Sequence, residues 1–451
     1  RRRSRRRGSR FAGRSGSSRV SSPPASSSPP APQIAPRDFL RLIGLGAAIG
    51  IPAALLAAFF LAAVHEVEHW LWVDLPEHLG ETAPPWYLVI GLPVVGAAIV
   101  LAARLLLPGD GGHHPLQGMS TGGATPLSHA PGIIVAAIGT LAFGAILGPE
   151  GPLIALGSVV GMVFATMAQR PAKEEAVLGA AGSFSAISAL FGGPLVGGVM
   201  MTESSVGLGA VAIPVLLPGF VAAAVGYLLF VGFGDWGGLA AQSLAVPELP
   251  DYTGVHFVDL VVAIVVGLLT AVVLTVARRG ARRVEALGPS LGGTAGHLLL
   301  GGLAVGLIAQ TADWLGADSQ VVLFSGQSGV PALVAEDSTK IILILFVAKA
   351  VGYAICLGCG FRGGPIFPAI FLGIAIGTLA VVWFDVSPTL AVAVGTAAGT
   401  AAGTRLLLTS IVFSTLLVGS AGLDATPAAV LAAVAAWIAM AAIERRTDPL
   451  P

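Results

Sequence analysis

Two stretches carry residues whose types and spacing could do chemistry: Gly148-Pro149-Glu150-Gly151-Pro152 and Gly363-Gly364-Pro365-Ile366-Phe367-Pro368. Each is a proline-bracketed break that opens an apolar helix. Matching residues follow at matching offsets: Pro152, Ile154, Leu156, Gly157 and Gly161 after the first, Pro368, Ile370, Leu372, Gly373 and Gly377 after the second. A helix N-terminus leaves amides unpaired and carries partial positive charge. It therefore binds an anion without a full cationic side chain, weakly enough for the ion to leave again. The candidate amides are those of Glu150, Gly151, Leu153 and Ile154 in the first break, and of Ile366, Phe367 and Ala369 in the second. Glu150 puts a carboxylate where such an anion would sit. Charged, it occupies the site; protonated or swung aside, it vacates it, which makes one residue both gate and proton acceptor. The plainer alternative is a first-turn Glu that only caps its helix.

The elements around these breaks must be membrane helices. The 451 residues are 55% hydrophobic and 11% charged, too apolar for a soluble domain and typical of a polytopic membrane protein. Sixty-one glycines predict helices packed backbone to backbone. The net charge of zero hides an asymmetry. Nine Arg and no acid lie in residues 1–36, so the rest of the chain is net negative. That Arg/Ser/Pro-rich segment is too polar to fold and lacks the apolar core of a signal peptide. It reads as a disordered cytoplasmic tail, held inside by the positive-inside rule and able to touch anionic lipid, rather than as a nucleic-acid arm.

Apolar runs divide the remainder into a first transmembrane half (37–233), an acidic linker (234–255), a second half (256–446) and a short tail (447–451). The first half starts beside the Arg-rich tail. The second starts after the acidic linker, and its first helix ends at Arg278, Arg279, Arg282 and Arg283. Opposite starting sides predict an inverted repeat, with the broken helices meeting near the midplane. Several runs are too short to span, and short helices at membrane depth need protein or a watery cavity around them.

At these residues the chain resembles the CLC chloride channels and chloride/proton antiporters. Gly148-Pro149-Glu150-Gly151-Pro152 is similar to their G-(K/R)-E-G-P signature, and Gly364-Pro365-Ile366-Phe367-Pro368 to G-x-F-x-P. Phe191-Gly-Gly-Pro194-Leu-Val-Gly197, ending at Glu203, is similar to F-x-A-P-L-x-G…E. The resemblance spans residues 38–446. It implies a CLC-like all-α fold, a homodimer with one anion pathway per subunit, and Glu150 as external gate. The anion-binding amides are then those of Gly151, Leu153, Ile366 and Phe367.

Four positions depart from the family pattern. Where a Ser hydroxyl contacts the central anion, this chain has Gly112, in Gly111-Gly112-His113-His114-Pro115; Ser120 and Thr121 are substitutes at the pore entrance, which His113 and His114 would tune by protonation. Pro365, which has no N–H, stands where an amide precedes the Phe of the signature. The inner tyrosine near the C-terminus has no counterpart among Tyr87, Tyr227, Tyr252 and Tyr353. Ser204 replaces the inner proton-transfer glutamate, leaving Glu203 beside it as a proton route.

Other motifs compete. His65-Glu66-Val67-Glu68-His69 fits H-E-x-x-H, and with the Leu423-Asp424 region it suggests an intramembrane zinc protease using His65, Glu66 and His69. Its place at the end of the first helix, beside Trp70 and Trp72 as interfacial anchors, favours a membrane boundary instead. Lys349 in an apolar helix either shapes the field for anions or snorkels to an interface. Cys356 and Cys359 supply half a metal site at most. The reading is therefore a non-enzymatic, multi-pass plasma-membrane protein that needs no cofactor and no metal. It moves chloride or another small anion such as fluoride past Glu150, as a channel or a weakly proton-coupled exchanger. A fully coupled chloride/proton antiporter is the alternative.

Overall fold

A computed structural model describes residues 36–117, 124–205, 212–239 and 244–447. The expected N-terminal tail up to residue 35, the substitutes Ser120 and Thr121, and residues 448–451 lie outside the described residues. The first half contains α1 (Pro36–His69), α2 (Leu75–His78), α3 (Trp86–Leu106), α4 (Ala130–Leu141), α5 (Glu150–Met167), α6 (Ala172–Leu190), α7 (Pro194–Ser204) and α8 (Ala212–Val231). The second contains α9 (Phe257–Leu287), α10 (Gly293–Trp314), α11 (Ser319–Val322), α12 (Val330–Val334), α13 (Thr339–Cys359), α14 (Ile366–Phe384), α15 (Pro388–Thr404), α16 (Leu407–Val418) and α17 (Thr426–Thr447). Among the described residues no strand forms, and eight helical segments are long and apolar enough to cross a membrane.

The halves repeat one packing scheme. Helix α5 lies along α6 as α14 lies along α15. Helices α1, α6 and α8 pack together as α9, α15 and α17 do, and α3 meets α10 across the halves. The repeated glycines are the contact stripes. A Cβ on Gly157 would come 2.5 Å from the Gly182 carbonyl oxygen, and one on Gly161 2.0 Å from that of Leu178. Their counterparts Gly373 and Gly377 would meet the carbonyls of Gly395 and Ala391 at 2.1 and 2.7 Å. Lipid gives no hydrophobic drive between helices, so close backbone approach at small residues supplies the association energy.

Three expectations change. Trp72 does not anchor at an interface. Five residues of π-helix after α1 turn it inward, where it is 4% exposed, donates its Nε1–H to the Ala142 carbonyl at 2.9 Å and meets Phe324 edge-on. Trp70 stays exposed. Lys349 does not snorkel. It is 0% exposed, and its Nζ donates to the carbonyls of Val321, Val322, Leu323 and Phe324 at 2.7–3.1 Å while standing over the Phe371 ring. The amino group thereby satisfies carbonyls at and just beyond the end of α11. Residues 313–338, without a predicted helix, hold α11 and α12. The end of the linker lies along the second half: the amides of Val246 and Tyr252 donate to the carbonyls of Leu417 and Ala421.

Candidate anion site

The two breaks face each other. The Gly148 amide donates to the Gly364 carbonyl at 2.8 Å, and the Gly364 amide to the Gly148 carbonyl at 2.6 Å. Beyond this bridge the chain makes the same cap twice. Pro149 (φ −81°, ψ −6°) caps α5 and Pro365 (φ −93°, ψ −5°) caps α14. Pro152 and Pro368 then occupy the third helical position. A proline at the cap loses no intrahelical bond, because that N–H has no intrahelical partner. Pro365 therefore removes no donor relative to the first break, and the following amide, of Ile366, makes the decisive contact.

That contact is with Glu150. Its side chain is 0% exposed, and its Oε1 accepts from the Ile366 amide at 2.6 Å. The Phe367 amide faces the same carboxylate. Oε2 has no hydrogen-bond partner among the described residues. Glycine makes room for this group. A Cβ on Gly148 would lie 2.0 Å from Oε2, and one on Gly364 2.2 Å from Cδ. Leu153 is a correction. Its amide donates to the Pro149 carbonyl at 3.1 Å, the first regular bond of α5, so it is not available to an anion. With Pro152 lacking an N–H, the orphan amides of the first break are those of Glu150 and Gly151.

An aromatic cluster fixes the second break. Phe191, which closes α6 in the third motif, meets Phe413 of α16 at 4.7 Å between ring centroids, and both stand 6.1 Å from Phe367. Phe191 and Phe413 are fully buried. Gly112, His113 and Gly151 line one cavity of about 280 Å³ with Ser158, Ser183, Gly363, Gly364 and Pro365. Two candidate entrance residues thus come together with an orphan amide of α5.

His114 departs from the expected switch near pH 6.5. Burial, then the Arg362 and Arg104 guanidinium groups, push it down to about 4, so it is neutral at ordinary pH. Glu203 also serves another end. Its Oε1 accepts from the amides of Leu407 and Leu408, and its Oε2 from the amide and hydroxyl of Thr409. This carboxylate from α7 caps α16, and its acceptor capacity is committed there. The Ser204 hydroxyl donates back to the Met200 carbonyl at 2.7 Å.

The sequence reading missed two groups. Tyr353 of α13 donates its phenol to the Pro365 carbonyl at 3.1 Å, so a tyrosine does reach the second break, from mid-helix rather than from the chain's end. Arg362 is almost fully buried and pairs with both the carboxylate and the carbonyl of Asp110, while Arg104 holds the other carboxylate oxygen at 2.7 Å. This network ties the 108–115 loop of the first half to the second break. Neither residue carries a local motif. Arg362, two residues before Gly364, is the only sequence signal available.

The zinc reading finds no assembled ligand set. His69 turns its Nδ1 to Asp74 at 3.3 Å, and among the described residues no three His, Cys, Asp or Glu side chains converge on a metal position.

A family model described as voltage gated chloride channel matches residues 116–440. The chain belongs to that family. A relative from Escherichia coli (strain SMS-3-5), named for ion transport as YfeO, is 29% identical over 352 residues, covering 76% of this chain and 79% of its own length. The YfeO protein of Escherichia fergusonii matches to the same extent. Among solved structures, a slow cyanobacterial Cl⁻/H⁺ antiporter superposes with a TM-score of 0.72 at 19% identity over 91% of this chain and 96% of its own. A CLC-type fluoride/proton antiporter gives 0.69 at 18% identity, over 90% and 96%. These likenesses show that the all-helical, multi-pass membrane architecture is that of the voltage-gated chloride channel family.

Proposed function

We propose that the chain moves small inorganic anions, chloride foremost, across a membrane along a pathway that Glu150 gates. The observation that carries this is the Glu150 carboxylate, buried and bonded to the Ile366 amide where two broken helices meet. A carboxylate on that amide stands in for an anion; a permeating halide must displace it. The ion is held by the amides of Gly151, Ile366 and Phe367, and a proton promotes release by neutralising Glu150. Gly112 and His113 border the entrance. The chain acts as a channel or a weakly proton-coupled exchanger, because Ser204 stands at the inner proton position and Glu203 is committed to a helix cap. Family membership supports a transporter rather than an enzyme.

A fully coupled antiporter is the second reading, favoured by the two antiporters that share the fold. The expected assembly is a homodimer in the plasma membrane with the N-terminus in the cytoplasm, consistent with the Arg278–Arg283 cluster at the end of α9. The test is the reversal potential of the chain in liposomes, with chloride, fluoride and nitrate compared under an imposed pH gradient. A potential indifferent to the proton gradient supports the channel, a shift smaller than a fixed exchange ratio requires supports the weakly coupled exchanger, and the full shift of a fixed ratio establishes the coupled antiporter. Absence of anion flux under every condition would retire the proposal.

A further inference from the structure

A cavity of about 430 Å³, separate from the one that Gly151 lines, has Leu147 and Pro149 of the first break in its wall. Gly148, between them, is the residue against which the gate packs: a Cβ there would lie 2.0 Å from Glu150 Oε2. Oε1 is engaged by the Ile366 amide, so Oε2 is the oxygen left to hold a proton, and it lies against the backbone of this wall. Another wall comes from α1 and carries a second acid, Glu68. Glu68 is half-buried and makes no hydrogen bond or ion pair among the described residues. The remaining walls, from the 324–331 segment and the 244–247 end of the linker, bring only uncharged side chains, Ser325, Gln327 and Ser328 among them. His65, exposed one turn earlier on α1, is the other ionisable side chain in the lining. Past Glu68, His69 and Asp74 face each other at 3.3 Å. Of the helices packed on α1, α4 and α8 carry no charged residue, and α5 carries only Glu150. Helix α6 has its charges in its first turns, ahead of Leu178, which packs near the start of α1 with Leu42.

An ionisable group within a membrane body is costly and functional by default. Ionised, Glu68 lowers the local concentration of anions, so it does not recruit the cargo. A carboxyl group without a partner, in a space roomy enough for several waters and across from a second carboxylate, is arranged for proton exchange. We propose that Glu68 loads the gate, passing its proton through water in this cavity to Oε2 of Glu150. The O–H bond on Glu68 breaks and one forms on Glu150. Glu68 is left as a carboxylate, and neutral Glu150 gives up the Ile366 amide to the anion. Hydronium or a buffer acid from the bulk then reprotonates Glu68, with His65 at the rim. This relay rests on the reading of Glu150 as gate, and adds to it the group that supplies the gate's proton.

The test is an acid jump on the full chain in liposomes, with a protonophore equalising pH on both faces and the onset of chloride flux followed by stopped flow. Glu68→Gln keeps the shape and removes the transferable proton. It should slow the onset at least about tenfold, less than a positioned acid supplies at a reacting bond, because bulk water still reaches the gate. Imidazole, a buffer small enough for the cavity, should restore the rate in proportion to its concentration, and Glu68→His should restore it from within the chain. A purely structural defect would respond to neither. An onset as fast in Glu68→Gln as in the unaltered chain, or a slow onset that neither imidazole nor Glu68→His repairs, would overturn the relay. Glu150→Gln separates the two readings. If it keeps the pH response, the gate itself fails; if it loses that response while Glu68→Gln opens at the normal rate, only the relay fails.

Discussion

Gly148 and Gly364 hydrogen-bond to each other in both directions, and that reciprocal pair is the seam between the two halves. Everything specific about the site follows from it. The bridge engages one amide of each break, brings Glu150 of one half onto the Ile366 amide of the other, and leaves no space for a side chain at either glycine.

Glu150→Gln keeps the shape and removes the charge; Glu150→Ala removes both. Each should raise anion flux in liposomes and abolish its response to pH. The sign for the unaltered chain follows from competition: as pH falls, protonation frees the amides and flux rises. Unchanged flux and an unchanged pH response in both variants would leave Glu150 as no more than a cap.

Gly364→Ala places a Cβ 2.2 Å from Glu150 Cδ and 2.6 Å from Oε1. The carboxylate must leave the Ile366 amide, so folded protein should behave like Glu150→Ala in flux. Gly91→Ala, in α3 with nothing within 4 Å, should instead leave flux alone and stabilise the helix by about 0.5–1 kcal/mol. Normal pH-dependent gating in Gly364→Ala would contradict the packing.

Glu203→Ala removes the acceptor for three amides and a hydroxyl at the start of α16. Loss of such a cap costs about 2 kcal/mol, so the thermal unfolding midpoint should fall by several degrees. Proton coupling, measured as the shift of reversal potential with a pH gradient, should not change. A variant with normal stability and lost coupling would return Glu203 to the proton route.

His114, at about 4, binds its proton less readily in the folded chain than in the unfolded one. Between its ordinary value and about 4 the unfolded state holds more protons, so stability falls as pH drops through that window. His114→Gln should flatten that part of the stability profile, followed by thermal unfolding between pH 7 and 4. Any flux transition near pH 6.5 should survive the substitution; its loss would show that His114 titrates where a free imidazole does.

Phe191→Ala opens the cluster that holds Phe367. Truncating a buried Phe costs about 3–5 kcal/mol. In protein that still folds, the loosened Phe367 backbone should weaken chloride binding, read by calorimetric titration of sodium chloride into the purified chain; unweakened binding would show that the cluster serves packing alone.

The sequence by itself determined the membrane class, the two breaks and their kinship, and the glycine stripes along α5 and α14. All of these are local: hydropathy, helix-breaking prolines and missing side chains act within a few residues of where they are written. It could not tell that Leu153's amide is already bonded to Pro149, because that depends on which residue becomes the cap. Only the tertiary structure decided that Gly148 pairs with Gly364, that Tyr353 and Arg362 reach the second break, and that Lys349 feeds four carbonyls 25–28 residues away in sequence. Those contacts join groups far apart in the chain, and a long polar side chain on an apolar helix gives no sign of its partner until the packing of other helices excludes lipid and water from its end.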